Sequence, residues 1–235
     1  MGLRECNRAD QGGPRSRPSW TPKVPPDSLT SLMRTSSATT PQTSGNRRQT
    51  LTARSAAAAA FVALIAGGAW LSIPMPLSPV PVVLQNLFVV LAGLALGPVT
   101  GTLSVLAYLA LGAAGLPLFS GAAGGIGHLL GPTGGYLLGF VPAAMAAGLI
   151  GYPGDPELRP QLPRLLLASL AGILMVYPTG LAWLAFRTEL RGEALLAAGL
   201  LPFIPGDLAK ATLAALIARS LHPLPAALRR PRRDG

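Results

Sequence analysis

Asp207 and Lys210 are the residues whose types and spacing could do chemistry. They stand three apart in "FIPGDLAK" (203–210), and no other ionisable residue lies between Glu193 and Arg219. An ionised side chain inside a bilayer costs a few kcal/mol on insertion scales, so it faces a cavity or a partner. At i, i+3 the two project from one helix face. Three chemistries fit: a self-paired structural ion pair, a proton relay, or a site for a polar ligand. A ligand with an anionic group and N–H donors suits the pair, with Lys210 on the carboxylate and Asp207 on the N–H groups. Pro202, Pro205 and Gly206 precede the pair, so irregular backbone is expected there.

Other polar groups gather in the same half of the pattern. Gln85 and Asn86 open an apolar stretch after a proline-rich loop; helix capping is their alternative use. Tyr136 opens another stretch, as a ligand contact or an interfacial anchor. Between them lies "LPLFSGAAGGIGHLLGPTGG", too apolar for a solvated loop and too glycine-rich for a helix. Non-helical backbone at membrane depth is tolerated only where it is buried in protein or lines a cavity. The segment should therefore fold over a site, with Gly124, Gly125, Gly134 and Gly135 exposing backbone N–H and C=O groups; a mobile outer loop is the plainer reading. "GGIG" is no phosphate loop, since neither a preceding strand nor a following Lys-Ser/Thr is present. His128 has no other ligand-type residue in its segment, so no metal site is expected. Trp70 and Trp183 read as interface anchors. With no ATP-binding loop, metal cluster or Cys/His pair, the chain reads as a non-enzyme without a cofactor.

The elements that must position these residues read as membrane helices. Half of the 235 residues are apolar, 12% are charged, and residues 55–154 hold no Asp, Glu, Lys or Arg. A water-facing domain carries charge at roughly a quarter of its residues. A span needs about 20 apolar residues, and the pattern divides into six: about 55–73, 82–96, 99–115, 136–151, 165–186 (with Pro178 a kink) and 195–218. Four prolines in 74–81 end the first and form a stiff loop. The fold class expected is an all-α integral membrane protein with six transmembrane helices, held in lipid, spanning residues 55–220.

Charge sets the orientation. The net charge of +10 does not make a nucleic-acid face, because 14 of 19 Lys/Arg lie in 4–54 and 219–233. With six spans, the two tails and the 152–164 loop share one side and carry 16 of the 19, so both termini should be cytoplasmic. Residues 1–54 read as a disordered basic tail and 221–235 as a second basic tail. Met33 opens "MRTSSATT" and offers itself as the true start, which would make 1–32 an artefact. A secretory signal is the alternative for the N-terminal part, against which the long polar region and the later spans argue. Cys6, the single cysteine, rules out an internal disulfide. Ala56/Ala60 and Ala59/Ala63 form small-xxx-small pairs that let another helix approach, within the protein or from another membrane subunit.

Four motifs in order, "IPMPLSPVPVVLQNL", "LAGLALGPVTGTLSVLAYLALGAAGLPLF", "GGIGHLLGPTGGYLLGF" and "LPFIPGDLAK", resemble the BioY family over about residues 55–220. Its members are substrate-binding S components of energy-coupling-factor (ECF) transporters that take up biotin. The resemblance implies six helices and a biotin pocket near the outer face, capped by loops. It implies partners: a transmembrane coupling subunit and two cytoplasmic ATPases, docked on the small alanines Ala56, Ala59, Ala60 and Ala63. It implies toppling of the S component on docking. Carried onto this chain, "GDLAK" puts Asp207 on the ureido N–H groups of biotin and Lys210 on its carboxylate, and "GPTGGY" puts Gly134, Gly135 and Tyr136 at the pocket wall. "LQNL" departs from the family's Gln-Thr, with Asn86 in the Thr place. Two rivals stay open: an S component for another vitamin such as thiamine or riboflavin, and a non-transporting scaffold with an internal Asp207–Lys210 pair. A 6% aromatic content favours a small aliphatic acid over the flat ring systems.

Overall fold

A run of five alanines, Ala56–Ala60, nucleates the first helix, α1 (Thr43–Trp70). The computed structural model describes residues 43–74, 79–152 and 160–221, with side chains from Thr52 onward. α1 begins 12 residues before the 54/55 boundary expected from composition. Once a helix is nucleated, each further residue costs little, so it extends into a polar flank free of proline. The possible start at Met33, residues 1–42 and the tail 222–235 lie outside the described residues.

α1 ends at the proline-rich loop. Two-residue strands β1 (Ser72–Ile73) and β2 (Val82–Val83) pair antiparallel there, Ser72 opposite Val83 and Ile73 opposite Val82. The Leu84 N–H donates to Gly68 O and Leu71 O, tying the hairpin to the end of α1. The second stretch therefore enters as strand, and its helix α2 (Gln85–Leu96) is shorter than expected. Gly97, at φ +83°, makes a turn that strains any other residue, and Pro98 starts α3 (Pro98–Ala113).

The glycine-rich segment is neither a helix nor a featureless loop. It holds a 3₁₀ turn at Ser120–Ala122, a bridge between Phe119 and Ala123, and the four-residue helix α4 (Ile126–Leu129). α5 (Gly134–Gly151) and α6 (Leu162–Arg187) follow, each one helix through an internal proline, Pro142 and Pro178. The last stretch is broken as its prolines suggest: α7 (Gly192–Gly199) and α8 (Ile204–Ser220) meet at 42°.

α2 is the hub, packed against α1, α3, α5, α6 and α8. Leu87, Val89, Val90, Leu91, Ala92 and Leu94 are all buried, so this helix is apolar on every side because every side is covered. α5 rides close on α2 and α3, because a Cβ on Gly93 would lie 2.2 Å from Ala144 O and one on Gly148 would lie 2.6 Å from Pro98. Large apolar side chains turn outward, among them Leu103, Leu149, Leu167, Leu174 and Leu213. Among the described residues, three helices are long and apolar enough to cross a membrane: α1 from Thr52, α5 and α6. α7 and α8 pass the same test only when taken together, as a broken span or a re-entrant loop; α2 and α3 are apolar but have 12 and 16 residues.

Candidate functional site

The break between α7 and α8 lets the N-terminus of α8 open onto a cavity of about 560 Å³, its mouth included. The backbone N–H of Asp207 donates to Phe203 O at 2.8 Å, and the side chain lies in the first turn of α8, where the helix dipole favours negative charge. Lys210 is one turn on. Its Nζ donates to Asp207 Oδ1 at 2.8 Å, and Tyr177 Oη on α6 donates to Oδ2 at 2.5 Å. Asp207 and Lys210 are 5% and 7% exposed, so both charges are buried and both line the cavity. The pair is satisfied within the protein and also reachable by a ligand.

Gln85 and Asn86, at the start of α2, also line the cavity, and no side chain caps that helix. Gln85 is buried; its Nε2 donates to Tyr108 Oη on α3 at 2.7 Å, and Tyr108 Oη donates to Leu118 O at 3.1 Å. Tyr136 lines the cavity from the start of α5 and donates its phenol proton to Gly199 O at 2.8 Å, pinning α5 to the end of α7. The glycine-rich segment supplies Ser120, His128 and Thr133, so it does fold over the site. His128 stacks on Phe119 at 5.1 Å. The remaining wall is apolar: Val80 and Val83 from the hairpin, Leu137 and Phe140 from α5, Val176 from α6, and Phe203.

The four glycines expected at the site do not line it; they let its frame close. A Cβ on Gly134 would lie 1.7 Å from Leu129 O, and one on Gly135 would lie 2.1 Å from Trp183 Cβ. A Cβ on Gly124 would meet Leu116 O at 2.3 Å. Gly125, at φ +89°, donates to Gly112 O at 2.7 Å, fixing the segment to α3. Trp183, expected at an interface, donates to Gly131 O at 2.9 Å and packs against those glycines; Trp70 is exposed and donates to Pro117 O at 2.9 Å.

Sequence reasoning missed Tyr177, although a phenol in an apolar span beside a proline is a signal of buried hydrogen bonding. It also missed the local aromatic content. Tyr136, Phe140, Tyr177 and Phe203 all line the cavity, so a low overall aromatic fraction does not describe the site. The proton inventory is more informative. The phenol protons of Tyr136 and Tyr177 are spent on protein acceptors, so neither phenol offers its proton to the cavity, whereas Lys210 brings an ammonium and Asp207 a carboxylate to the wall. The carboxylate and the ammonium suit a ligand with N–H groups and an anion.

On α1, Ala56, Ala59, Ala60 and Ala63 are exposed, while Phe61, Ile65, Ala66 and Ala69 are buried against the neighbouring helices. The small-residue pairs thus form an outward face.

A profile of the BioY family matches residues 37–227. A protein of Pyrococcus horikoshii named probable biotin transporter BioY is 46% identical over 164 residues, covering 70% of this chain and 93% of its own. Biotin transporter BioY of Thermotoga maritima is 43% identical over 164 residues, covering 70% and 92%. A crystal structure of the S component for biotin from an ECF-type ABC transporter superposes with a TM-score of 0.68 at 34% identity, covering 78% of this chain and 95% of that one. Sequence and fold agree over nearly the whole length of these proteins, and the chain belongs to the BioY family.

Proposed function

We propose that the chain binds biotin at the outer side of the cytoplasmic membrane and serves as the substrate-capture component of an ECF-type transporter. One observation carries the reading: a buried carboxylate–ammonium pair opens onto a cavity in a chain whose relatives are named biotin transporters. Lys210 takes the carboxylate of biotin through a charge-assisted contact. Asp207, held by Tyr177, takes ureido N–H groups, with Gln85, Asn86 and Tyr136 around the ring and the apolar wall on the thioether side. The helical units α1, α2, α3, α5, α6 and α7–α8 each cross the membrane once, which keeps both basic tails in the cytoplasm. α2 and α3 do so as short helices extended by the hairpin and the glycine-rich segment.

Titration of purified, detergent-solubilised protein tests this. Biotin is expected to bind tightly at one site, and thiamine and riboflavin not at all. A folded protein that ignores biotin removes the reading.

The exposed alanine face of α1 is the docking surface for the coupling subunit, which works with two cytoplasmic ATPases. Ala59→Trp with Ala63→Trp should leave biotin affinity within about twofold and abolish uptake in cells holding the ATPase module. The reasoning is that bulky groups on a small-residue face keep the helices apart. Normal uptake by the double variant would remove docking from this face.

A further inference from the structure

Tyr108 sits in α3, fully buried and outside the cavity lining, yet it is bonded to a residue that lines it. The contact with Leu118 sets the direction of each bond. Leu118 O is a carbonyl and only accepts, so the 3.1 Å contact uses the single phenol proton of Tyr108. Tyr108 Oη has then no proton for Gln85 and must accept one. The group facing it at 2.7 Å is therefore the NH₂ of the Gln85 carboxamide. The amide oxygen, on the other branch of the same planar group, remains to be offered to the cavity that Gln85 lines.

We infer that Tyr108 is a positioning residue that fixes the Gln85 carboxamide so that the cavity meets its oxygen and not its nitrogen, selecting ligands with an N–H at that point. The device is anchored beyond α3. Leu118 and Phe119 begin the glycine-rich segment; Phe119 packs edge-on against Tyr108 at 5.6 Å and stacks on His128, itself a lining residue. A free glutamine flips between two nearly isoenergetic orientations and would accept a ligand acceptor as readily as a donor. Here the flip would set Gln85 Oε1 against a phenol oxygen whose proton is already committed, leaving two buried acceptors face to face. The choice of ligand rests on the biotin reading, in which the N–H is ureido; the orientation of Gln85 does not.

The first measurement therefore needs no ligand. In protein carrying ¹⁵N-glutamine, the Gln85 side-chain NH₂ is expected to exchange with solvent at least roughly tenfold more slowly than a free glutamine side chain, and Tyr108→Phe should remove that protection. An unprotected Gln85 NH₂ in the wild type overturns the inference, whether or not any variant folds. The second compares biotin with its derivatives methylated on a ureido nitrogen. Tyr108→Phe keeps the ring against Phe119 and should lower the preference for biotin roughly tenfold, about one hydrogen bond. In a Gln85→Met background, Tyr108→Phe should change that preference no further, because its effect passes through Gln85. An equal loss in both backgrounds makes Tyr108 a packing residue only and overturns the inference. A folded wild type that binds no biotin but protects its Gln85 NH₂ removes the biotin reading and leaves the orientation standing.

Discussion

Lys210→Ala should abolish biotin binding and also destabilise the ligand-free protein. The substitution removes the ammonium 2.8 Å from Asp207 and leaves a buried carboxylate with the Tyr177 phenol as its remaining side-chain partner among the described residues. Removing one member of a buried pair costs about 3–5 kcal/mol, because the other charge stays behind uncompensated. The loss alone cannot separate a ligand site from a structural ion pair, since both predict it. The double variant Asp207→Asn with Lys210→Met does separate them. It removes both charges at nearly constant volume, and such replacements are often neutral or stabilising. Its ligand-free unfolding temperature should return to near the wild-type value while biotin binding stays lost. A double variant that is stable and still binds biotin tightly would make the pair a scaffold element. Lys210→Ala with wild-type affinity would do the same more directly. The position of the pair makes binding the stronger reading, since a purely structural pair has no need of a cavity wall.

How much of this was legible beforehand follows from how far each signal travels along the chain. Asp207 and Lys210 stood out because a charge in an apolar run is costly wherever it sits, and that cost is local to the sequence. Gln85, Asn86 and Tyr136 stand out for a related reason, as polar groups at the ends of apolar stretches. Tyr177 was not, because its meaning lies 30 residues away on Asp207, and a phenol in a span has many ordinary uses. The break at 200–203 was foreshadowed by Pro202 and Pro205, which disrupt a helix by a known mechanism. The start of α1 at Thr43 was not, since helix extension from an alanine-rich nucleus outweighs the polar composition of its flank. The prolines of 74–81 predict only a stiff loop, because two-residue strands such as β1 and β2 leave no alternating pattern. Hydropathy gave six apolar stretches, but it could not show that α2 owes its apolarity to burial among five neighbouring helices and not to contact with lipid.

The glycines expected at the pocket wall yield the other large effect. Gly135→Ala should destabilise the ligand-free protein strongly, whereas Gly127→Ala, in the same glycine-rich stretch, should be close to silent. A Cβ at position 135 would lie 2.1 Å from Trp183 Cβ and 2.5 Å from Thr179 O, both on α6, whereas one at position 127 meets nothing within 4 Å. The Thr179 carbonyl belongs to a helix backbone and cannot swing aside, so α5 and α6 must separate. Overpacking of this kind costs about 1–3 kcal/mol, and more when the obstacle is backbone. The displacement also reaches the site, because Tyr136 follows Gly135 on one helix and Tyr177 precedes Thr179 on the other, and both line the cavity. Affinity should therefore fall together with the ligand-free unfolding temperature. A glycine that touched the ligand would behave differently, losing affinity at an unchanged ligand-free unfolding temperature. That pattern in Gly135→Ala would return the residue to the pocket wall. The expected pattern makes it the hinge pin of the α5–α6 contact: the motif "GPTGGY" then serves binding through two functions in sequence, close packing by its glycines and a ligand-facing phenol at its end.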